Sequence, residues 1–193
     1  MSNNFTPMNG LNTLKTDNKQ RVIIIALLFI VALRLAFTGL MGMMPQDAYY
    51  YFYSEHPALS YYDHPPAIAY CLKLFTVIFG KNVFALKLAD FVITSLSVFA
   101  FYKLASCFLS RHGVQKALLL LFSTFMVTIL SLISTPDTPL ILAWTLSLLA
   151  LHHAVFLDKK WYWIWTGLAM GLAFDSKYTA IFLPAGCFLF AIG

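Results

Sequence analysis

Long apolar runs separated by short polar breaks dominate the chain, and they set the expected elements. After a polar stretch at 1–20, rich in Asn, Thr and Lys, an apolar run opens at Arg21 and reaches Met44, broken mainly by Arg34 and Thr38. Further runs occupy 85–108, 117–134, 140–157, 161–174 and 179–193. About 20 helical residues rising 1.5 Å each cross a hydrocarbon core of about 30 Å, so 22–40, 85–108, 117–134 and 140–157 read as transmembrane helices. About 14 residues reach only ~21 Å, so 161–174 spans if its end extends through Asp175 and Lys177, and 179–193 reads as a span cut short at Gly193. Truncation at the C-terminus is therefore expected. Residues 1–20 read as a disordered cytoplasmic tail, and no small-residue cleavage pattern follows the first run, which is taken as retained.

Composition supports a membrane protein of the all-α class. Hydrophobic residues make up 60% of the 193 and charged residues 11%, against about 25% charged in a soluble domain, and the mean hydropathy is +0.75. So few polar groups cannot cover a water-exposed surface. The net charge of +5 comes from scattered single residues and forms no basic stripe, so no nucleic-acid partner is expected. Cys71, Cys107 and Cys187 have neither the spacing of a thiolate metal site nor the pattern of a disulfide framework. Nothing resembles a glycine-rich phosphate loop or a G-x-S-x-G elbow, and no nucleotide cofactor is expected.

The segment 65–80 decides the topology. It is apolar, but it has only about 16 residues, too few to span comfortably, with Lys73 in its middle. If it does not cross, Lys15, Lys19 and Arg21 share a side with Lys103, Arg111, Lys116, Lys159 and Lys160, as the positive-inside rule requires. The expected arrangement is a first outer loop at 41–84 carrying interfacial helices, with the N-terminus cytoplasmic. Asp47, Glu55, Asp63 and Asp137 then all face the outer side.

That side holds the candidate chemistry. Residues 41–66 contain three of the eight acids and Tyr49, Tyr50, Tyr51, Tyr53, Tyr61 and Tyr62; an aromatic belt at headgroup level is the structural explanation. Asp47 follows Pro45, so a helix starting there puts its carboxylate in the first turn, as a cap, a general base or a metal ligand. Asp63-His64-Pro65-Pro66 predicts a helix starting at the second proline, with His64 near an N-terminus suited to phosphate. Asp137 lies in a Ser-Thr-Pro-Asp-Thr-Pro turn; brought near Asp47, it can share a divalent cation such as Mg or Mn, although the turn is explanation enough. Lys87 and Asp90, three apart on a helix, are positioned to pair, whereas Lys177 is freer to meet an anion. His152 and His153 point to different aspects of a helix, and Trp161, Trp163 and Trp165 read as an inner aromatic anchor.

PQDAYYYFY, LSYYDHPPAIAY, FGKNVFALKLAD, STPDTPLILAW and GLAFDSKYTAIFLP resemble, in that order, stretches of bacterial membrane glycosyltransferases related to protein O-mannosyltransferases and the lipid A aminoarabinose transferase. The resemblance covers 22–193. It implies a multi-spanning GT-C-like helical bundle in the bacterial inner membrane that serves the cell envelope. It also implies transfer of a sugar, with inversion, from a polyprenyl-phosphate donor to a lipid, glycan or protein acceptor on the non-cytoplasmic face. Asp47 falls on the first-loop acidic motif and takes the role of general base. Relatives often carry two adjacent acids there, where this chain has Gln46 and Asp47. Asp63, His64, Lys87 and Lys177 fall on positions that touch the donor phosphate or organise the site, Asp47 and Asp137 on a metal pair, and Tyr49, Tyr50 and Tyr62 on the substrate lining. As a fragment, the chain is expected to be inactive alone. The competing expectation is a transporter or transporter subunit for a charged or lipid-linked substrate, whose mark would be midplane acids in broken helices and an inverted repeat.

Overall fold

A computed structural model describes the backbone of residues 10–192 and, with few exceptions, the side chains of 21–190. The regular elements among the described residues are all helices: α1 (Gly10–Leu40), α2 (Pro45–Glu55), α3 (Ala67–Phe79), α4 (Val83–Phe108), α5 (Arg111–Ser123), α6 (Phe125–Leu130), α7 (Asp137–Val155), α8 (Tyr162–Ser176), a 3-10 turn (Tyr178–Ile181) and α9 (Phe182–Ile192). Residues 1–33 and 34–193 form separate units. In the first, α1 already begins at Gly10, inside the stretch expected to be a disordered tail; adding turns to an existing helix avoids the cost of nucleation. Residues 1–9 lie outside the described residues.

By length and apolarity, two described helices can cross a membrane, Val83–Phe108 and Asp137–Val155. Leu28–Leu40 and Pro45–Glu55 would together make a third, but the chain bends by 73° between them. The run expected as one helix over 117–134 is instead broken at Thr124, with α5 before it and α6 after. Ser123 and Thr124 donate their hydroxyls to the carbonyls of Leu120 and Leu121 at 2.8 and 2.7 Å. Such local bonds compete with the helix ladder, and Thr124 adopts an extended ψ of 133°.

In the second unit α7 packs along α8 and α4, while α3 packs on α2 and α4. Small residues allow the close approach: Ala143, Ala150 and Ala154 on α7, Ala169 and Ala173 on α8, and Ala100 and Ala105 on α4 are all buried. Ser147 on α7 donates to the Thr166 carbonyl of α8 at 3.5 Å. The α3 contact is a separate core of Tyr50, Ile68, Leu72, Leu86 and Ala89. The opposite side of α3 exposes Leu74, Val77, Ile78 and Phe79, the two-faced pattern of a helix lying along an apolar phase. Between α3 and α4 the chain turns at Gly80, φ +87°, a left-handed conformation glycine adopts without penalty. Asn82 then caps α4 by accepting from the Ala85 N–H at 2.8 Å.

The chain is unwound between α6 and α7, and four buried side chains complete its hydrogen bonding. Asp47, at the third position of α2, accepts from the Met44 N–H at 2.7 Å and, 87 residues along the chain, from the Ser134 N–H at 2.9 Å. The Lys87 ammonium donates to Asp47 Oδ2 and to the Leu132 carbonyl. Ser134 Oγ donates to Asp90 Oδ2 at 2.7 Å, and Thr94 Oγ1 to the Leu130 carbonyl at 3.0 Å. Asp47, Lys87, Asp90 and Ser134 are 0% exposed. Lys87 therefore pairs with Asp47 rather than with Asp90, its expected partner one turn along α4. The side chain reaches the end of α2, where a carboxylate and a free carbonyl both need a donor.

Breaking a buried ion pair from one side leaves an uncompensated charge, at a cost of about 3–5 kcal/mol. Lys87→Met is expected to lower the thermal midpoint of the detergent-extracted protein sharply. Adding Asp47→Asn, which removes the stranded charge but keeps an acceptor for Ser134, should recover part of that loss. A double variant no more stable than Lys87→Met would refute the coupling. The helix order also places the α4–α5 turn at the opposite end of α4 from the first loop. Single cysteines at Ser60 and His112, both exposed, in a background lacking the three native cysteines, should react with impermeant maleimide from opposite faces of the membrane.

Candidate functional site

The end of the bundle that holds α2, the start of α4 and the start of α7 carries most of the residues singled out by the sequence. Pro45 opens α2, and the inward anchoring of Asp47 aims the tyrosines of that helix at the loop leading to α3. Tyr49 and Tyr53, one turn apart, share a hydroxyl hydrogen bond of 2.6 Å, and Tyr49 also donates to Asp63 Oδ2. The bond to Asp63, then that to Tyr53, pushes the Tyr49 phenol well above its ordinary pKa, so it remains a neutral donor. Tyr61 stacks on Tyr53 at 4.0 Å, donates to the Tyr53 carbonyl at 2.7 Å and accepts from the Ala58 N–H at 3.2 Å. Tyr70 of α3 donates to the Ala58 carbonyl at 2.8 Å. The loop before α3 is thus fixed by phenol hydroxyls, and the tyrosine-rich segment is a connected scaffold as well as an aromatic surface. Tyr62 is fully exposed.

Pro65 and Pro66 are buried, and Pro66 is the N-cap of α3; the helix begins one residue after the second proline. Asp63 is exposed and His64 half-buried, with the His64 ring 6.0 Å from that of Tyr50. Tyr50 is itself buried. Burial, followed by the charges of Asp137, Tyr53 and Asp63, pushes its phenol up to about 12. Both Asp63 and Asp137 therefore act electrostatically on one phenol, although they lie on segments far apart in the chain.

Asp137 opens α7. Lys177, the C-cap of α8, reaches both oxygens of Asp137 at 2.8 and 3.0 Å, and each partner is about one third exposed (30% and 31%). The anion that Lys177 meets in this chain is Asp137. For the expected metal pair, the geometry is plain: the Asp47 oxygens accept from an ammonium and two amides, while those of Asp137 face the Lys177 ammonium. Among the described residues no three His, Cys, Asp or Glu side chains gather as a metal site. Lys87 touches Asp47 and Leu132 and is sealed from solvent.

Sequence reasoning missed three features of this end. Glu55 is bridged by Lys73 and Lys81, which hold its carboxyl below the usual range, Lys81 first; a lone lysine in apolar α3 was the available signal. The second is the role of Ser134 between Asp47 and Asp90. The third is Asp90 Oδ1, buried without a hydrogen-bond partner among the described residues. At the opposite end the histidines are simple packing: His153 stacks on Tyr162 at 4.7 Å and His152 meets the edge of Phe108 at 5.0 Å; Arg34, near the end of α1, donates to Thr128 at 3.0 Å over the Phe122 ring.

Comparison with known proteins gives a family. Residues 63–193, more than half of the chain, match the model of the dolichyl-phosphate-mannose-protein mannosyltransferases. The matched segment begins at Asp63, so Asp47 and the tyrosines of α2 precede it. The chain is similar to the undecaprenyl phosphate-alpha-4-amino-4-deoxy-L-arabinose arabinosyl transferase of Pseudomonas savastanoi pv. phaseolicola, 33% identical over 132 residues, which cover 66% of this chain and 25% of that protein. The protein of the same name from Pseudomonas aeruginosa is 31% identical over 132 residues, 65% of this chain and 24% of its own length. The chain thus spans about a quarter of the length of the curated relatives it matches. No solved structure matches. The chain belongs to the dolichyl-phosphate-mannose-protein mannosyltransferase family.

Proposed function

We propose that this chain is part of a bacterial inner-membrane enzyme that transfers a sugar from a polyprenyl-phosphate donor to a lipid, glycan or protein acceptor, with inversion, on the non-cytoplasmic face. Family membership supports the donor class, and the observation that carries the site is the half-open Asp137–Lys177 pair, whose carboxylate acts on the Tyr50 phenol. A sugar phosphodiester carries one negative charge, and the polyprenyl phosphate released carries more. An ammonium that can leave Asp137 for that phosphate is worth most as the bond to the anomeric carbon breaks. His64, just before the first turn of α3, adds a donor when protonated. The donor is already activated in its sugar–phosphate bond, so no nucleotide is required.

In this reading Lys87 and Asp47 shape the site from beneath. Lys87 has no path to a phosphate without abandoning a buried carboxylate. Asp47, expected as the base, is enclosed by three donors, so its contribution is the placement of Tyr49, Tyr50 and Tyr53. A divalent cation at Asp137 would have to displace the Lys177 ammonium.

The assay uses membranes carrying the full-length protein, supplied in turn with undecaprenyl-phosphate 4-amino-4-deoxy-arabinose and with polyprenyl-phosphate mannose. It reads free polyprenyl phosphate released, sugar incorporated and the anomeric configuration of the product. One donor should be consumed, with inversion. Lys177→Ala should lower kcat/KM for that donor by about 10²-fold, the scale of one charge-stabilising contact, and Lys177→Arg by much less. Unchanged turnover in Lys177→Ala would remove Lys177 from the phosphate site.

A further inference from the structure

We infer that the groove between α4, α7 and α9, at the end of the bundle opposite the candidate site, seats one acyl chain of an anionic glycerophospholipid whose headgroup meets the basic turns at that end. The groove has a volume of about 450 Å³, and its walls include Leu104 and Phe108 of α4, Trp144 and Leu148 of α7, and Leu183 and Phe190 of α9. That volume falls in the range of pockets that hold one small ligand, about 300–1,000 Å³. The polar groups in the lining are those of His152, Cys187 and the Trp144 indole, and the His152 ring is packed on the edge of Phe108. Such a lining gives a water-soluble ligand little to bond, whereas a flexible apolar chain fits it. Gly186 leaves room on the α9 side: a side chain there would meet nothing within 4 Å.

The extent of the groove selects among apolar occupants. Along α7 it runs from Trp144 to Val155, which at 1.5 Å per residue is about 16 Å. Half of a hydrocarbon core of about 30 Å is about 15 Å, so the groove follows one leaflet from the bilayer midplane to its surface. A spanning helix needs a seat along the whole of α4 and α7; an acyl chain needs one leaflet. A prenyl tail whose phosphate sits at Lys177 would have to arrive from the other leaflet, since Lys177 pairs with Asp137 at the opposite end of α7.

Charge complementarity supplies the headgroup. Phe108 and Phe156 line the end of the groove; Arg111 follows the first at the start of α5, and Lys159 and Lys160 follow the second in the turn before α8. Lys103 and Lys116 belong to the same ends of α4 and α5. All five are exposed, and the acid beside them in the α7–α8 turn is Asp158. That turn is closed by the Lys159 N–H on the His153 carbonyl at 3.1 Å. The Lys159 ammonium lies over the Tyr162 ring and that of Lys103 over Phe99 and Tyr102, which leaves Arg111 and Lys160 for a phosphate at the mouth. Basic side chains beside a groove between membrane helices favour anionic over zwitterionic headgroups. The same cations orient the chain in the bilayer; the groove adds a seat that holds one lipid among them. In the topology expected from the charge bias, this is the cytoplasmic leaflet.

The test uses the full-length protein in nanodiscs and reads covalent labelling, so it needs no turnover and stands apart from the sugar-transfer reading. Phosphatidylglycerol and phosphatidylcholine, each with the same diazirine-bearing acyl chain, are supplied in turn and photolysed, and the labelled residues are mapped. Phosphatidylglycerol should label the groove faces of α4, α7 and α9 about 25-fold more than phosphatidylcholine, and Arg111→Gln or Lys160→Gln should each lower that preference about fivefold, the scale of one basic side chain at an anionic surface. Gly186→Phe, which fills the groove from an open position, should remove the label from all three helices with the thermal midpoint nearly unchanged. Equal labelling by the two lipids, or a preference unmoved by both charge variants, would overturn the headgroup assignment. Labelling that survives Gly186→Phe, or a groove left unlabelled because other parts of the full-length chain fill it, would overturn the seat. Displacement of the phosphatidylglycerol label by undecaprenyl phosphate would also overturn the inference and give the groove to a prenyl tail.

Discussion

The contact on which this end of the bundle depends is the buried bond between Asp47 and Lys87. Between α6 and α7 the chain leaves the helix for several residues, with Ser131 and Ser134 fully buried, where every unpaired carbonyl or amide is expensive. The Leu132 carbonyl and the Ser134 amide are served there by the ion pair: Lys87 donates to the carbonyl and Asp47 accepts from the amide. One pair of charges therefore does three things. It completes a broken segment, ties α2 to α4, and fixes the orientation of the tyrosine helix. Removing two charges from water costs several kcal/mol per ion, and such a pair is retained most readily where it specifies an arrangement that packing alone would leave open. Here that arrangement is the inward seating of a short polar helix against apolar neighbours.

The consequence for chemistry is a division of labour among like residues. Acids that look equivalent in the sequence occupy three environments: sealed with an ammonium, half-open with an ammonium, and open beside a phenol. Sealing suits a structural anchor, because neither water nor substrate competes for the carboxylate. The half-open pair suits exchange, because an incoming anion can replace the carboxylate on Lys177 without stranding a charge in the interior. The open carboxylate, held by a neutral phenol, fixes the loop before α3 without neutralising its charge.

Local chemistry was readable in the sequence; long-range partnership was not. Asp47 sits in the first turn of α2 because proline opens the helix two residues earlier, Pro65 and Pro66 mark the start of α3, and Asp137 opens α7 after a turn-forming stretch. Each inference needed only neighbouring residues. The partner of Lys87 lies 40 residues away and that of Lys177 a further 40-residue separation along the chain, and no spacing rule selects among the acids available at such range. Lys87 was assigned to Asp90 because the helix makes that pair geometrically easy; the tertiary structure offered a carboxylate and a carbonyl together, a stronger site for one ammonium. The break at Thr124 belongs to the first kind, since a Ser-Thr pair inside an apolar helix already signals competition for the backbone.

The pairing of charges at this end also constrains where an anion can arrive. Lys87 is spoken for, and Lys73 and Lys81 share Glu55, which leaves Lys177 as the ammonium whose carboxylate partner is itself a third exposed. An anion that took that ammonium would leave the Asp137 carboxylate uncompensated next to a buried phenol, Tyr50, that already feels both Asp137 and Asp63, so exchange at Lys177 is felt at the tyrosine helix without any movement of the helices.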